Sequence, residues 1–131
     1  MVLDVGCGGA PYFKYMSKSA SKGQLRRVVA LEPNIFMHKG ILKQAEKFLH
    51  GVKVDVVGGK IANLVPTYAG KFDHIILGNV LCEVDDVEDA ISTLRLLLRP
   101  GGRIFVCEHV LAEGGLLRHF QRLVSPWCVP R

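Results

Sequence analysis

The chain begins with a short apolar segment that breaks into a glycine-rich bend, and this junction restricts the fold more than any other feature. Val2–Val5 has the composition of a buried strand, and three of the next four residues are glycine. Glycine has no Cβ, so a bend of this kind lets the backbone approach a ligand closely. Pro11 follows, and proline suits the first turn of a helix. The junction therefore predicts a strand, a turn and a helix, with a ligand site at the turn.

The spacing of the glycines distinguishes two classes of cofactor. A dinucleotide fingerprint, Gly-x-Gly-x-x-Gly, requires a third glycine where Pro11 stands, so a nicotinamide-dependent oxidoreductase is disfavoured. The dinucleotide fingerprint also does not include an acidic residue two positions before its first glycine, whereas this chain has Asp4 there. The arrangement of Asp4, Gly6 and Gly8 resembles instead the first motif of Rossmann-like methyltransferases that use S-adenosylmethionine.

Length and composition are those of one globular α/β domain, assigned to residues 1–131. The net charge of +5 comes from scattered lysines and arginines without interleaved aromatic residues, so no nucleic-acid surface is expected. Four cysteines without a Cys-x-x-Cys pair indicate reduced thiols in a cytosol-facing protein and no metal site. Every apolar run is far shorter than the ~20 residues of a membrane span, so no transmembrane segment is expected.

Apolar periodicity alternates along the chain between strand and helix. The predicted strands are Val2–Val5, Val28–Leu31, Val52–Val57, Phe72–Leu77 and Arg103–Cys107. The predicted helices are Tyr12–Met16, Asn34–His50, Asp85–Leu98 and Leu116–Val124, with a polar loop at Ser17–Gln24. Strands that alternate with helices imply right-handed crossovers and a doubly wound, mainly parallel α/β sheet. Ligands then bind outside the carboxyl ends of the strands, near the point where the strand order reverses.

Two loops after predicted strands carry candidates for binding the nucleoside part of a cofactor. Glu32 follows the second strand, and a carboxylate there can accept hydrogen bonds from both ribose hydroxyls of an adenosine. The alternative is that Glu32 caps the next helix. Pro33, the residue that follows it, is assigned to the same cofactor site. Gly59 and Lys60 follow the third strand, where such folds contact adenine, although Lys60 is equally consistent with a solvated loop charge.

Two further loops carry the candidates for chemistry. Gly78 and Asn79 follow the fourth strand and would form the floor for the methionine end, where Asn79 either contacts cofactor or acceptor or stabilises the loop. Glu108 and His109 follow the fifth strand and could orient an acceptor or act as a base, with an ordinary loop residue as the alternative for His109. Asp73, at the start of its strand, is expected to be structural. No catalytic residue is identified beyond the candidates Asn79 and His109.

Together these segments resemble class I S-adenosylmethionine-dependent methyltransferases of the type 11 kind. The stretches that carry the resemblance occur in the family's order and cover nearly the whole chain: residues 2–8 (VLDVGCG), 31–34 (LEPN), 72–76 (FDHII), 80–84 (VLCEV) and 98–102 (LRPGG). The continuation RIFVCEHVLAE, residues 103–113, looks like the methyltransferase-like 7 group of thiol S-methyltransferases.

The resemblance implies a fold, a cofactor and a set of residues. It implies a seven-stranded sheet, S-adenosylmethionine as methyl donor, and small, often lipophilic thiols as acceptors. The cofactor loop would comprise Asp4, Gly6, Cys7 and Gly8, with Glu32 at the ribose hydroxyls and the Gly78–Asn79 loop at the methionine moiety. Two departures matter: Ala10 replaces a third glycine at the expected helix start, and Ile61 falls near where many relatives place an adenine-contacting acid.

The same resemblance predicts that the chain is a truncated form. Five strands are predicted, whereas the family fold has two more, and relatives carry an N-terminal segment that anchors them to endoplasmic-reticulum membranes or lipid droplets. The expected location is the cytoplasm, or the surface of those membranes if such an anchor exists. Peripheral membrane contact through the predicted helix Leu116–Val124 is an alternative to its packing on the sheet.

Two functions of different classes follow. The first is methyl transfer from S-adenosylmethionine to a small-molecule acceptor, with a thiol as the expected nucleophile. The second is an inactive cofactor-binding or interaction protein that keeps the glycine bend without turnover.

Overall fold

The fold is seen in a computed structural model that describes residues 1–110 together with Glu113, Gly115, Arg118 and His119. Five strands lie in these residues: β1 (Val2–Val5), β2 (Arg27–Leu31), β3 (Lys53–Val57), β4 (Phe72–Gly78) and β5 (Leu98–Cys107). They form one sheet in the order β3-β2-β1-β4-β5, and every neighbouring pair is parallel. The predicted parallel, doubly wound sheet is therefore confirmed, with β3 and β5 at its edges.

The strand order reverses at β1, which lies between β2 and β4. Val5 at the end of β1 is level with Leu31 on β2 and with Leu77 on β4. The loops that leave these three strands therefore start at the same edge of the sheet, on both sides of the reversal. This edge is where an open parallel sheet binds its ligands.

Helices cover both faces of the sheet. They are α1 (Phe13–Ser21), α2 (Ile35–Phe48), a 3₁₀ helix (Ile61–Leu64), α3 (Val65–Tyr68) and α4 (Val87–Leu97). Alternate residues of β1 point to opposite faces: Leu3 packs with the 3₁₀ helix, α3 and α4, whereas Val2 packs with α1 and α2. The two apolar layers fix the sheet between the helices and leave the carboxyl edge for the loops. Among the described residues, no helix is both long and apolar enough to cross a bilayer.

The first helix is longer than predicted and starts later. It runs from Phe13 to Ser21, so Pro11 lies in the preceding turn and the loop predicted from Ser17 is largely helical. Two serines of the segment satisfy their hydroxyls within the helix: Ser17 Oγ donates to the carbonyl of Lys14 at 2.7 Å, and Ser21 Oγ donates to that of Lys18 at 3.0 Å. The polar outer face of this helix has the composition of a loop, which explains the difference from the prediction.

The second helix agrees with its prediction at the start. Asn34 is the N-cap, and its Oδ1 accepts a hydrogen bond from the amide of Phe36 at 3.1 Å. Ile41 and Ala45 of the predicted apolar stripe are buried, whereas Met37 is exposed. The short 3₁₀ helix and α3 were not predicted, because four-residue helices have too little periodicity to be recognised.

The boundary between α4 and β5 also differs from its prediction. The helix starts two residues later than expected, with Asp86 as its N-cap, and Leu98 belongs to β5. Leu98 pairs with Phe72, and Arg103 pairs with His74, so residues 99–102 bulge out of the strand. Asp73 opposite the bulge forms an ion pair with Arg99 at 2.7 Å, which is a structural position. The predicted helix Leu116–Val124 lies outside the described residues apart from Arg118 and His119.

Candidate cofactor site

The bend after β1 has a conformation that selects glycine. Gly6 has φ +58° and Gly8 has φ +48°, in the left-handed region that side chains rarely adopt. A Cβ added to Gly6 would overlap the Cγ2 methyl of Val80, on the loop after β4. Ala10 also has a positive φ, of +55°, so it lies in the bend and not at a helix start as expected. The backbone of the bend is therefore bare and lies close to the neighbouring loop.

Glu32 links this bend to the second strand. Its Oε2 accepts a hydrogen bond from the amide of Gly8 at 2.8 Å, and its Oε1 accepts one from the amide of Asn34 at 2.9 Å. The main chain of Glu32 is also held, because its carbonyl accepts a hydrogen bond from His38 Nε2 at 2.7 Å. A carboxylate oxygen has two acceptor positions, so each oxygen retains capacity for a ligand hydroxyl. Asn34 is the N-cap of α2, and because its amide donates to Glu32, this carboxylate also supports the start of the helix.

Asp4 is fully buried in the middle strand, and its carboxylate is unpaired. No described residue donates a hydrogen bond to either of its oxygens. Burial raises the pKa of Asp4 to about 7, because the charged form loses hydration without gaining a partner. A buried polar group left without a partner is costly, and such groups occur where a protein receives a ligand.

Cys7 contributes its backbone, not its side chain, to this edge. The side chain is buried in the apolar layer beneath α1 and α2. Burial, followed by the carboxylates of Asp4 and Glu32, raises the pKa of the Cys7 thiol far above its usual range. The carboxylates of Asp4 and Glu32 both affect this pKa because both lie close to the Cys7 thiol. Cys7 therefore remains protonated and has no nucleophilic role.

A cavity of about 310 Å³ opens beside the bend at the ends of β1, β2 and β3. Gly6, Pro33, Gly59 and Lys60 of the predicted site line it. The rest of the lining is mixed: apolar residues such as Ile61 and Val84 lie beside the acids of α4 and its preceding loop, which are Glu83, Asp85, Asp86 and Asp89. The volume is within the range of small-molecule sites. Lys60 is an exposed loop charge, and its Nζ forms an exposed ion pair with Asp85 at 2.5 Å, which joins two loops that border the cavity.

The loop after β4 borders the bend on the side of β4, and its Val80 also lines the cavity. Asn79 adopts φ +55°, and its amide donates to the carbonyl of Cys107 at 2.9 Å. The phenol of Tyr12 covers Gly78 so closely that a Cβ there would overlap its hydroxyl oxygen. Burial, and then the nearby Cys107, Asp4 and Glu108, raise the pKa of Tyr12. The sequence does not predict this position of Tyr12, because its contact with Gly78 joins residues that are far apart along the chain.

The two residues after β5 occupy different surroundings. Glu108 is half-buried, and its Oε1 accepts hydrogen bonds from the amides of Val80 at 2.9 Å and Leu81 at 3.2 Å. His109 is exposed.

Most of the predicted site residues lie along one edge of the sheet. They are Asp4 to Gly8, Glu32, Pro33, Gly59, Lys60, Gly78 and Asn79.

These features fit a cofactor with a nucleoside at one end and a charged or polar group at the other. The unpaired carboxylate of Asp4, the bare backbone at Gly6 and the cavity beside it provide acceptors, close approach and an apolar pocket. A model of the methyltransferase domain family matches residues 3–106. The chain belongs to this family. S-adenosylmethionine is the cofactor that the assignment supports, as expected from the sequence.

Individual relatives agree with the family. The human thiol S-methyltransferase TMT1A is 29% identical over 126 residues, which is 95% of this chain and 49% of that protein. A ubiquinone biosynthesis O-methyltransferase from Xanthomonas axonopodis is 30% identical over 105 residues, 80% of this chain and 41% of that protein. A solved SAM-dependent methyltransferase from Aquifex aeolicus shares the fold with a TM-score of 0.68 at 18% identity, covering 95% of this chain and 69% of that one. The chain spans about half the length of the curated relatives.

Proposed function

We propose that this domain binds S-adenosylmethionine at the carboxyl edge of its sheet and transfers the methyl group to a small molecule. The observation that supports this most strongly is the hydrogen bond from the Gly8 amide to Glu32, which joins the glycine bend to the acid on the neighbouring strand. The family assignment supports the same reaction. When bound, the cofactor supplies a methyl group on a positively charged sulfur, which is already activated for transfer.

In this proposal, different residues of the sheet edge bind different parts of the cofactor. Glu32 is placed to accept the ribose hydroxyls, because both of its oxygens are fixed by backbone amides. The cavity between Gly6 and Gly59 is sized and apolar enough for the base. Gly78 and Asn79, on the β4 side of the bend, are placed for the methionine end. Fixing donor and acceptor in one geometry can lower the barrier by ~7–11 kcal/mol.

A thiol is the acceptor that we propose. Thiol S-methyltransferases from human match the chain at 28–29% identity, and a free thiol with a pKa near ~8.5 is partly ionised at neutral pH. A dedicated base is then not required. This agrees with the surroundings of the candidates: Asn79 is held through its backbone and His109 is exposed at the end of β5.

The second candidate is a domain that binds the cofactor without turnover. It is favoured by one observation, that the chain spans only 49% of the length of TMT1A. An acceptor pocket in such a relative can draw on residues outside the matched half. In that case the described edge would still bind the nucleoside, because Asp4, Glu32 and the glycine bend all lie within residues 1–110.

One experiment separates these functions. The purified chain is titrated with S-adenosylmethionine by calorimetry and then incubated with methyl-labelled cofactor and either a small alkyl thiol or a phenol of similar size. Methyl transfer to the thiol and not the phenol is the result that we expect. Binding without transfer to either acceptor would support the non-catalytic domain. Transfer to the phenol alone would replace the thiol by an oxygen acceptor, and the absence of binding would exclude both candidates.

A further inference from the structure

The end of β5 holds the loop after β4 through three successive amides. The carbonyl of Cys107 accepts from the amide of Asn79, and the carboxylate of Glu108 accepts from the amides of Val80 and Leu81. The two amides converge on one oxygen, Oε1, at 2.9 and 3.2 Å. Two amides that share one side-chain oxygen are fixed relative to each other and to the end of β5. Glu108 therefore anchors residues 80 and 81.

The anchored loop needs such a hold. Asn79 has a left-handed backbone at φ +55°, a conformation that asparagine adopts more readily than most residues but less readily than glycine. Contacts from outside the loop stabilise it there. The carbonyl and the carboxylate of two consecutive residues supply these contacts.

The end of β4 and its loop contact two other parts of the cofactor site. The side chain of Val80 packs against Gly6, and Gly78 lies beneath the phenol of Tyr12. Val80 also lines the cavity beside the bend. A loop that moved by even one ångström would open the contact between Val80 and Gly6. The placement of Val80 against Gly6 therefore depends on Glu108.

We infer that Glu108 is a positioning residue, which holds the loop after β4 in the form that receives the methionine end of the cofactor. The inference rests on the proposed function for its cofactor part. It also replaces the expectation that Glu108 acts as a base, since the oxygen that faces the loop already accepts two amide protons. What the position needs is an acceptor oxygen, and negative charge is secondary.

Two variants distinguish an acceptor from a charge. Glu108→Ala removes the oxygen, whereas Glu108→Gln keeps an oxygen of the same reach without the charge. The first measurement is hydrogen exchange of the Val80 and Leu81 amides in the ligand-free protein. Relative to the unsubstituted chain, we expect both amides to exchange at least roughly tenfold faster in Glu108→Ala and to keep near-normal protection in Glu108→Gln. Unchanged exchange in Glu108→Ala would overturn the inference, whatever the protein binds.

The second measurement is the affinity for S-adenosylhomocysteine by calorimetry. We expect Glu108→Ala to weaken binding by roughly tenfold and Glu108→Gln by less than about threefold. Glu46→Ala, which removes an exposed carboxylate from α2, is the matched control and should leave affinity unchanged. Thermal unfolding of each variant shows whether it is folded.

The outcomes separate this inference from the proposed function. Equal losses of affinity in Glu108→Ala and Glu108→Gln would overturn positioning in favour of a direct role for the charge. Failure of the unsubstituted chain to bind S-adenosylhomocysteine would exclude the proposed function and the cofactor part of this inference. The exchange measurement would still decide whether Glu108 holds the loop.

Discussion

The side chain of Val80 packs against the backbone of Gly6, so that a Cβ on Gly6 would overlap the Cγ2 methyl of Val80. The contact joins the bend after β1 to the loop after β4, which are the two segments on either side of the reversal in strand order. Glycine is required at position 6 for two separate reasons, the close approach and the positive φ.

The two reasons can be measured separately. Gly8 has a similar φ but open space around its Cα, so Gly8→Ala should cost only the backbone strain, about 1 kcal/mol in the free energy of unfolding. Gly6→Ala should cost roughly 3 kcal/mol, because the overlap with Val80 adds to the strain. Introducing Val80→Ala together with Gly6→Ala should recover the difference. Urea denaturation of the unsubstituted chain and of these three variants tests this, and equal losses at positions 6 and 8 would contradict it.

The buried carboxyl of Asp4 should make stability depend on pH. Burial raises its pKa from 3.8 to about 7, so between these values the folded protein holds a proton that the unfolded chain has released. The free energy of unfolding contributed by this group therefore falls as the pH rises, by roughly 4 kcal/mol in total. Above pH 7 the contribution is constant.

Asp4→Asn removes this penalty while it keeps a similar shape. The variant should match the unsubstituted protein near pH 4 and exceed it in stability by a few kcal/mol, roughly 2–4, near pH 8. Denaturation at several pH values provides the measurement. A stability difference that is the same at pH 4 and pH 8 would show that Asp4 does not titrate in this range.

The three described cysteines should react very differently with an alkylating reagent. Cys82 and Cys107 are exposed, whereas Cys7 is buried and the pKa of its thiol is raised by that burial and by two carboxylates. Since the thiolate is the reactive form, iodoacetamide at pH 8 should label Cys82 and Cys107 at least about 100-fold faster than Cys7. Peptide mass spectrometry provides the rates, and unfolding the protein with urea should equalise them. Early labelling of Cys7 in the native protein would contradict its placement.

Much of the fold is contained in the local sequence. Val28–Leu31 is wholly apolar, and Val2–Val5 and Phe72–Leu77 are apolar apart from Asp4, Asp73 and His74. This is close to the pattern of strands buried on both faces, and all three segments lie within strands of the sheet. The bulge at residues 99–102 could not be predicted in this way, because it depends on pairing with Phe72 and His74 on another strand. The length of α1 was missed because its outer face is polar.

The candidate site shows the same division. Asp4, Gly6 and Gly8 are recognisable from spacing alone, since the bend is local. That both oxygens of Glu32 accept backbone amides, and that Glu108 reaches across to residues 80 and 81, are long-range contacts set by the strand order. The contact between Tyr12 and Gly78 is also long-range, because Tyr12 precedes α1 whereas Gly78 lies at the end of β4.

The central claim is that Glu32 and the glycine bend hold the nucleoside of the cofactor. Titration of S-adenosylhomocysteine into the unsubstituted chain and into Glu32→Ala tests it most directly, with Glu46→Ala as a control on the exposed face of α2 and circular dichroism to confirm folding. The account predicts saturable binding that Glu32→Ala weakens by roughly tenfold or more while Glu46→Ala leaves it unchanged. Equal affinity of a folded Glu32→Ala variant and the unsubstituted chain would contradict it.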